Sequence, residues 1–295
     1  MINCMKKALK TLALLTSAIC IVSMASCSVH KRNVLTERPQ PEQIQAALDS
    51  ICAEGYNLFV AERVNWIATD SALAHCDENN LRGNIIWQPN SGMWSAVFFD
   101  REQKNCLFEL VYDTRTGEER CFYEPRPLSE QERAQWELKG TMFDNAIKSY
   151  GDSLRYNSDY GRPNVDFVRV APNTIRMYIL QGVERPNVIP IGNDYSIDFD
   201  NKGNTKAFRR YHRSFLPMST VDENGEKVAT IYHSHLKDNP YITPTDICNF
   251  LLYRGEMEST GVLSTALDGY IIYNAKDNSA VFLSKEVMEK INGNK

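Results

Sequence analysis

The residues whose types and spacing could do chemistry are two histidines one residue apart, His233 and His235, and a carboxylate further on, Asp246. An apolar run, residues 228–232 (VATIY), leads into the histidines and reads as a buried strand. Side chains alternate along a strand, so both imidazoles share one face and Ser234 takes the other. A polar loop containing Pro240 follows, and Thr243-Pro244-Thr245-Asp246 then opens a helix over residues 247–253. Two neutral imidazoles and a carboxylate supply three ligands to a zinc ion. A fourth position is then left for water, which is the catalytic rather than the closed structural arrangement. The same residues also have a purely structural meaning. Thr243 is a good N-cap, Pro244 suits the first helical position and Asp246 sits where a reciprocal cap would. A His-x-His pair at a strand end can be a polar rim.

His233-Ser234-His235, seven residues, Thr243, two residues and Asp246 resemble the signature of the JAMM (MPN+) metallopeptidases, H-[ST]-H, seven residues, S, two residues, D. Leu236 stands where that family usually has proline, and Thr243 where it has serine. The close match covers about 14 residues, and a looser likeness in strand and helix order runs on to Tyr273. The resemblance implies an α+β fold, a mixed sheet with flanking helices in cytidine-deaminase-like layering. It also implies hydrolysis of peptide or isopeptide bonds, with zinc held by His233, His235 and Asp246. The Thr243 hydroxyl would donate to the developing oxyanion. In the family a glutamate well upstream is the general base. The candidate is Glu184, the one glutamate between Asn164 and Glu223, with Asp194 and Asp198 as fallbacks. Without such a base, the alternative is a binding or scaffold protein that keeps the JAMM fold without turnover. His212 lies among arginines and reads as surface or as a residue behind the site, and Cys248 as core.

The elements that must position these residues fall into two regions. The expected JAMM-like region, residues 156–295, is mostly strand: 165–170 and 174–181, then 195–199 and 205–211 around the hairpin signal Asp200-Asn201-Lys202-Gly203. The metal-site strand and helix come next, then strands at 261–265, 269–274 and 280–283, and a closing helix over 284–291. A sheet with helices packed on it is the expected layering. A smaller α+β region, residues 41–155, precedes it. Its first helix starts at Pro41, with Ile44, Leu48, Ile51 and Cys52 at helical spacing. Strands follow at 84–88, 93–99, 106–112 and 119–123. Ser129-Glu130-Gln131-Glu132 forms a capping box that opens a helix reaching about Tyr150. Residues 151–164, rich in Tyr, Asp, Ser and Gly, are the candidate boundary. Trp66, Trp87, Trp94 and Trp136 invite a carbohydrate-stacking reading, but tryptophans in a half-buried sheet are more often core.

Residues 1–26 read as a targeting segment. Lys6, Lys7 and Lys10 precede an apolar stretch, 12–21, too short for a confident membrane span. Met24-Ala25-Ser26-Cys27 resembles a bacterial lipoprotein box. That implies cleavage before Cys27, a lipid anchor on its sulfur, and, with Ser28 next, an outer-membrane lipoprotein facing the periplasm. Residues 27–40 read as a tether. The chain has 33 Lys and Arg against 37 Asp and Glu, and cleavage removes three of the lysines. A mildly acidic chain without a basic stripe gives no support for nucleic-acid binding. The expected partners are the membrane, through Cys27, and a peptide or protein substrate. Beyond Cys27 the cysteines are Cys52, Cys76, Cys106, Cys121 and Cys248, an odd number with no CxxC pair.

Overall fold

A computed structural model describes residues 39–291 and Gly293. The expected signal segment 1–26, the lipidation site Cys27 and nearly all of the tether 27–40 lie outside the described residues. In chain order the elements are α1 (Pro41–His75), β1 (Leu81–Asn90), β2 (Met93–Asp100), β3 (Asn105–Asp113), β4 (Glu118–Phe122) and β5 (Arg126–Pro127). Next come α2 (Glu130–Tyr150), β6 (Asn164–Ala171), β7 (Thr174–Leu180), β8 (Val188–Ile191), β9 (Tyr195–Phe199), β10 (Thr205–Arg210) and β11 (Leu216–Ser219). The chain ends with β12 (Thr230–His235), α3 (Pro244–Tyr253), β13 (Ser259–Ser264), β14 (Gly269–Asn274), β15 (Ser279–Ser284) and α4 (Lys285–Ile291).

The architecture is α+β. β1 to β4 form an antiparallel meander, with β5 pairing β3. A second antiparallel sheet has the order β10-β9-β7-β6, and β11 pairs with β8 beside it. The sheet that carries the histidines is mixed. β12 lies at its edge, parallel to β13, and β13-β14-β15 continue antiparallel. A parallel neighbour requires a crossover, and α3 lies in that connection.

Helix α1 organises the packing. Pro41 at its first turn and the reciprocal Gln40–Gln43 cap start it cleanly. At about 1.5 Å per residue its 35 residues run about 52 Å. Its first half, through Ile44, Leu48 and Cys52, shares a core with Ile247 and Phe250 of α3 and with Ile231, Val262 and Ile271 of the mixed sheet. Its second half, through Leu58, Val64, Ala68 and Ala72, meets Trp94, Phe98 and Phe108 of the meander. That same core includes Val168, Tyr178, Leu180 and Cys248. Residues on both sides of 151–164 therefore share one core, and the described residues fall in a single compact unit. α1 passes α3 at Gly55, where a Cβ would lie 2.8 Å from Cβ of Ile247 and 3.1 Å from the carbonyl oxygen of Pro244. Glycine there lets the two helices touch backbone to side chain.

Trp94 is a core residue, 1 % exposed. Trp136 packs edge-on against Phe99 and donates to Gln103, as a structural residue does. The five cysteines among the described residues are all free thiols. Among the described residues no helix is long and apolar enough to cross a membrane.

Candidate metal centre

β12 ends at the histidines. Its burial alternates as the strand period requires: Ile231, His233 and His235 are inside, Tyr232 and Ser234 outside. In the parallel ladder His233 stands beside Val262 and His235 beside Ser264, and Thr265 donates to the His235 carbonyl from backbone and hydroxyl. The chain then loops over residues 236–242 into α3. Thr243 is the N-cap, and its hydroxyl accepts from the Asp246 backbone N–H. Asp246 completes the reciprocal cap: its Oδ2 accepts from the Thr243 backbone at 2.8 Å and from the Thr243 hydroxyl at 2.7 Å. The other oxygen, Oδ1, faces the histidines. The structural and the chemical readings of Thr-Pro-Thr-Asp are therefore both met, one by each carboxylate oxygen.

A third histidine completes the group. His212, His233, His235 and Asp246 are all buried and offer ligand atoms lying within 4.8 Å of one another. Nε2 of His235 lies 2.9 Å from Nε2 of His212 and 2.9 Å from Nε2 of His233. Asp246 Oδ1 lies 3.3 Å from Nε2 of His212 and of His233. Four ligands at about 2.0–2.1 Å from a tetrahedral zinc stand about 3.3 Å apart. The His235–His212, His235–His233, Asp246–His212 and Asp246–His233 separations, 2.9–3.3 Å, are close to that figure.

The groups behind the rings determine which nitrogen points inward. His212 Nδ1 faces both oxygens of Asp194, at 2.8 and 2.9 Å, and so donates to them. His235 Nδ1 donates to the Tyr241 carbonyl oxygen at 2.6 Å. In the neutral rings both Nε2 lone pairs then face each other at 2.9 Å, which is repulsive unless a cation lies between them. Asp246 Oδ1 accepts no well-directed hydrogen bond although it is buried. A buried carboxylate oxygen left in this way is costly unless a cation occupies the position it faces. The residues therefore fit a bound metal ion. His3Asp is a borderline nitrogen-rich donor set, unlike the all-oxygen shells of calcium or magnesium.

The protonation chemistry points the same way for two ligands. Burial pushes His235 down to about 4, with the neighbouring His212 and His233 adding to the effect against Asp246, so that the ring is neutral near pH 7. Burial alone would raise the Asp246 carboxyl, but the facing rings of His212 and His233 hold it well below the usual range. Both are ready to ligate without losing a proton. His212 differs. Burial would lower it, but Asp194 on one nitrogen and Asp246 near the other raise it well above its ordinary value.

His233, His235 and Asp246 come together as their spacing implies. Thr243 is beside them, but its hydroxyl is already committed to Asp246 Oδ2, with Thr245 Oγ1 at 2.9 Å. It orients a ligand and does not stand free as an oxyanion donor. Glu184 is exposed on the loop before β8, its backbone N–H bonded to the Tyr160 carbonyl, and it is not among the clustered residues. That position does not suit a general base, which must come within hydrogen-bond reach. Of the fallbacks, Asp198 is engaged by Arg176 through two bonds of 2.6 and 2.9 Å. Asp194, 1 % exposed, stands behind His212 and also accepts from Thr245. Cys248 is in the core.

His212 is the residue that sequence reading missed. Its neighbours Arg210 and Arg213 suggest a solvated segment, but both turn away from the ring. Arg210 donates to the carbonyls of His212 and Arg213, and Arg213 pairs with Asp238. One signal was present. The β9–β10 hairpin pairs Tyr195 with Arg210, so Asp194 must lie beside Tyr211, next to His212. Comparison with protein-family models, with curated proteins and with solved structures finds no match to this chain.

Proposed function

We propose that this protein is a zinc-binding protein of JAMM type, anchored at the cell envelope through Cys27. Its metal would be held by His212, His233, His235 and Asp246. One observation carries the reading: four buried ligand atoms converge within 4.8 Å of one another, with the inward nitrogens of two rings selected by Asp194 and the Tyr241 carbonyl. The motif resemblance supports the same centre independently, through His233, His235 and Asp246.

A zinc ion with an open position supplies Lewis-acid chemistry and activates water for hydrolysis. The chain's own residues divide the remaining work. β12 presents His233 and His235, the cap of α3 fixes Asp246, and Thr243 holds the carboxylate by its outer oxygen. With His212 among the donors, the protein would supply four ligands to the ion, and Glu184 is not among the clustered residues. That donor set favours the non-catalytic, metal-holding alternative. Cleavage of peptide or isopeptide bonds in an envelope protein substrate requires His212 to give up its place.

The deciding experiment is the zinc content of the purified soluble chain, residues 28–295, beside its His235→Ala variant. Near-stoichiometric zinc in the first and its loss in the second are expected. No zinc in either, after zinc is offered and the excess removed, overturns the proposal.

A further inference from the structure

Three of the four ligand positions are built into regular structure. His233 and His235 sit in a strand, and Asp246 is in the first turn of a capped helix. His212 is not. It sits on residues 211–215, the irregular stretch between β10 and β11. Among the described residues, 212–215 make no backbone-to-backbone hydrogen bond. Side chains hold this strap instead. Asp194 holds the ring of His212, and Arg210 holds the carbonyls of His212 and Arg213. Two ties then cross to the loop that follows the histidine pair. Asn239 Nδ2 donates to the Tyr211 carbonyl at 2.9 Å, and Arg213 meets Asp238 at 2.6 Å on an exposed face. The strap lies close over its support: a Cβ on Gly192 would be 2.0 Å from the Ser214 carbonyl oxygen. His212 and His233 are each 8 % exposed, whereas His235 and Asp246 are at 2 %.

We propose that His212 is an exchangeable ligand. The strap 212–215 is a gate hinged at the core residue Tyr211, and its release opens one coordination position to a small oxygen or nitrogen donor: water, the carbonyl oxygen of a peptide, or a small anion. The inference rests on the metal-centre reading above and adds to it which ligand leaves and which segment moves. The physical warrant is the contrast in anchoring. Moving a strand histidine or a capping aspartate breaks a ladder or a helix start. Moving His212 breaks side-chain ties, and two of them, Arg213 to Asp238 and Arg210 to the Arg213 carbonyl, are at the surface, where such ties are weak.

The test uses the full soluble chain loaded with cobalt(II), whose visible absorption reports coordination, and azide as the probe donor. In the wild type, azide is expected to perturb the spectrum weakly. In Arg213→Ala combined with Asn239→Ala, which removes both ties to the 236–242 loop and touches no ligand, the azide affinity rises at least threefold. In His212→Ala, cobalt is retained and azide binds at least a hundredfold more tightly than in the wild type. Unchanged azide affinity in the double variant overturns the gate. Loss of cobalt from a folded His212→Ala overturns exchangeability, because His212 would then be indispensable for holding the ion. Failure of the wild type to take up cobalt or zinc overturns the metal reading itself, so the two failures are distinguishable.

Discussion

Replacing Thr243 by valine removes one oxygen atom with two duties. The hydroxyl accepts the Asp246 backbone N–H at the start of α3, and it donates to Asp246 Oδ2 at 2.7 Å. The first duty is a helix cap, whose loss costs about 1 kcal/mol of stability. The second positions a metal ligand, and losing such a supporting contact lowers metal affinity by about 10–100-fold. Here Oδ2 keeps its bond from the Thr243 backbone at 2.8 Å, so the carboxylate is loosened and not released. The lower end applies, about tenfold or about 1.4 kcal/mol. Thr243→Ser keeps the hydroxyl and restores both. Thermal unfolding of the metal-free chain reads the cap, and competition with a chromophoric chelator reads the zinc affinity. If Thr243→Val shows the stability loss with zinc affinity unchanged, the hydroxyl serves the helix alone and its role toward the ligand is refuted. If zinc affinity is unchanged and a hydrolytic activity disappears, the oxyanion role read from the sequence is restored.

Further expectations follow from the packing and the buried charges. Gly55→Ala puts a methyl 2.8 Å from Ile247 Cβ, so overpacking of about 1–3 kcal/mol outweighs the gain of about 1 kcal/mol in helix propensity; the melting temperature falls, and zinc affinity falls with the displacement of α3. Glu62 is fully buried on α1, and burial together with neighbouring Asp166 raises its carboxyl well above the ordinary value. The folded chain therefore binds the extra proton, so this contribution to stability is complete below the ordinary glutamate value and is lost as pH rises through the raised one. Glu62→Gln should flatten that limb of a melting-temperature profile against pH, and an unchanged profile would refute the assignment. Glu184→Gln should leave zinc content unchanged, and a loss of zinc would return Glu184 to the centre. Chelation should lower thermal stability, by about 2.7 kcal/mol relative to protein in free zinc at a hundred times the dissociation constant.

The sequence by itself determined the parts of the centre that depend on short-range periodicity. A period of two on β12 put His233 and His235 on one buried face. The cap chemistry of Thr243-Pro244-Thr245-Asp246 placed a carboxylate in the first turn of a helix. The capping box at Ser129 and the turn at Asp200-Gly203 were legible for the same reason, since each is complete within a few residues. Tertiary structure alone decided what surrounds that core of the site. His212 meets His235 across 23 positions of sequence, and Thr245 meets Asp194 across 51. Neither contact has a local pattern, because it arises only after β9 pairs β10, β8 pairs β11 and α3 docks on α1 at Gly55. The division between residues 41–155 and 156–295, read from composition, does not separate two cores, because α1 is long enough to bury its two halves in different sheets. Local chemistry placed three of the four clustered side chains. Long-range packing brought in the fourth and buried the group.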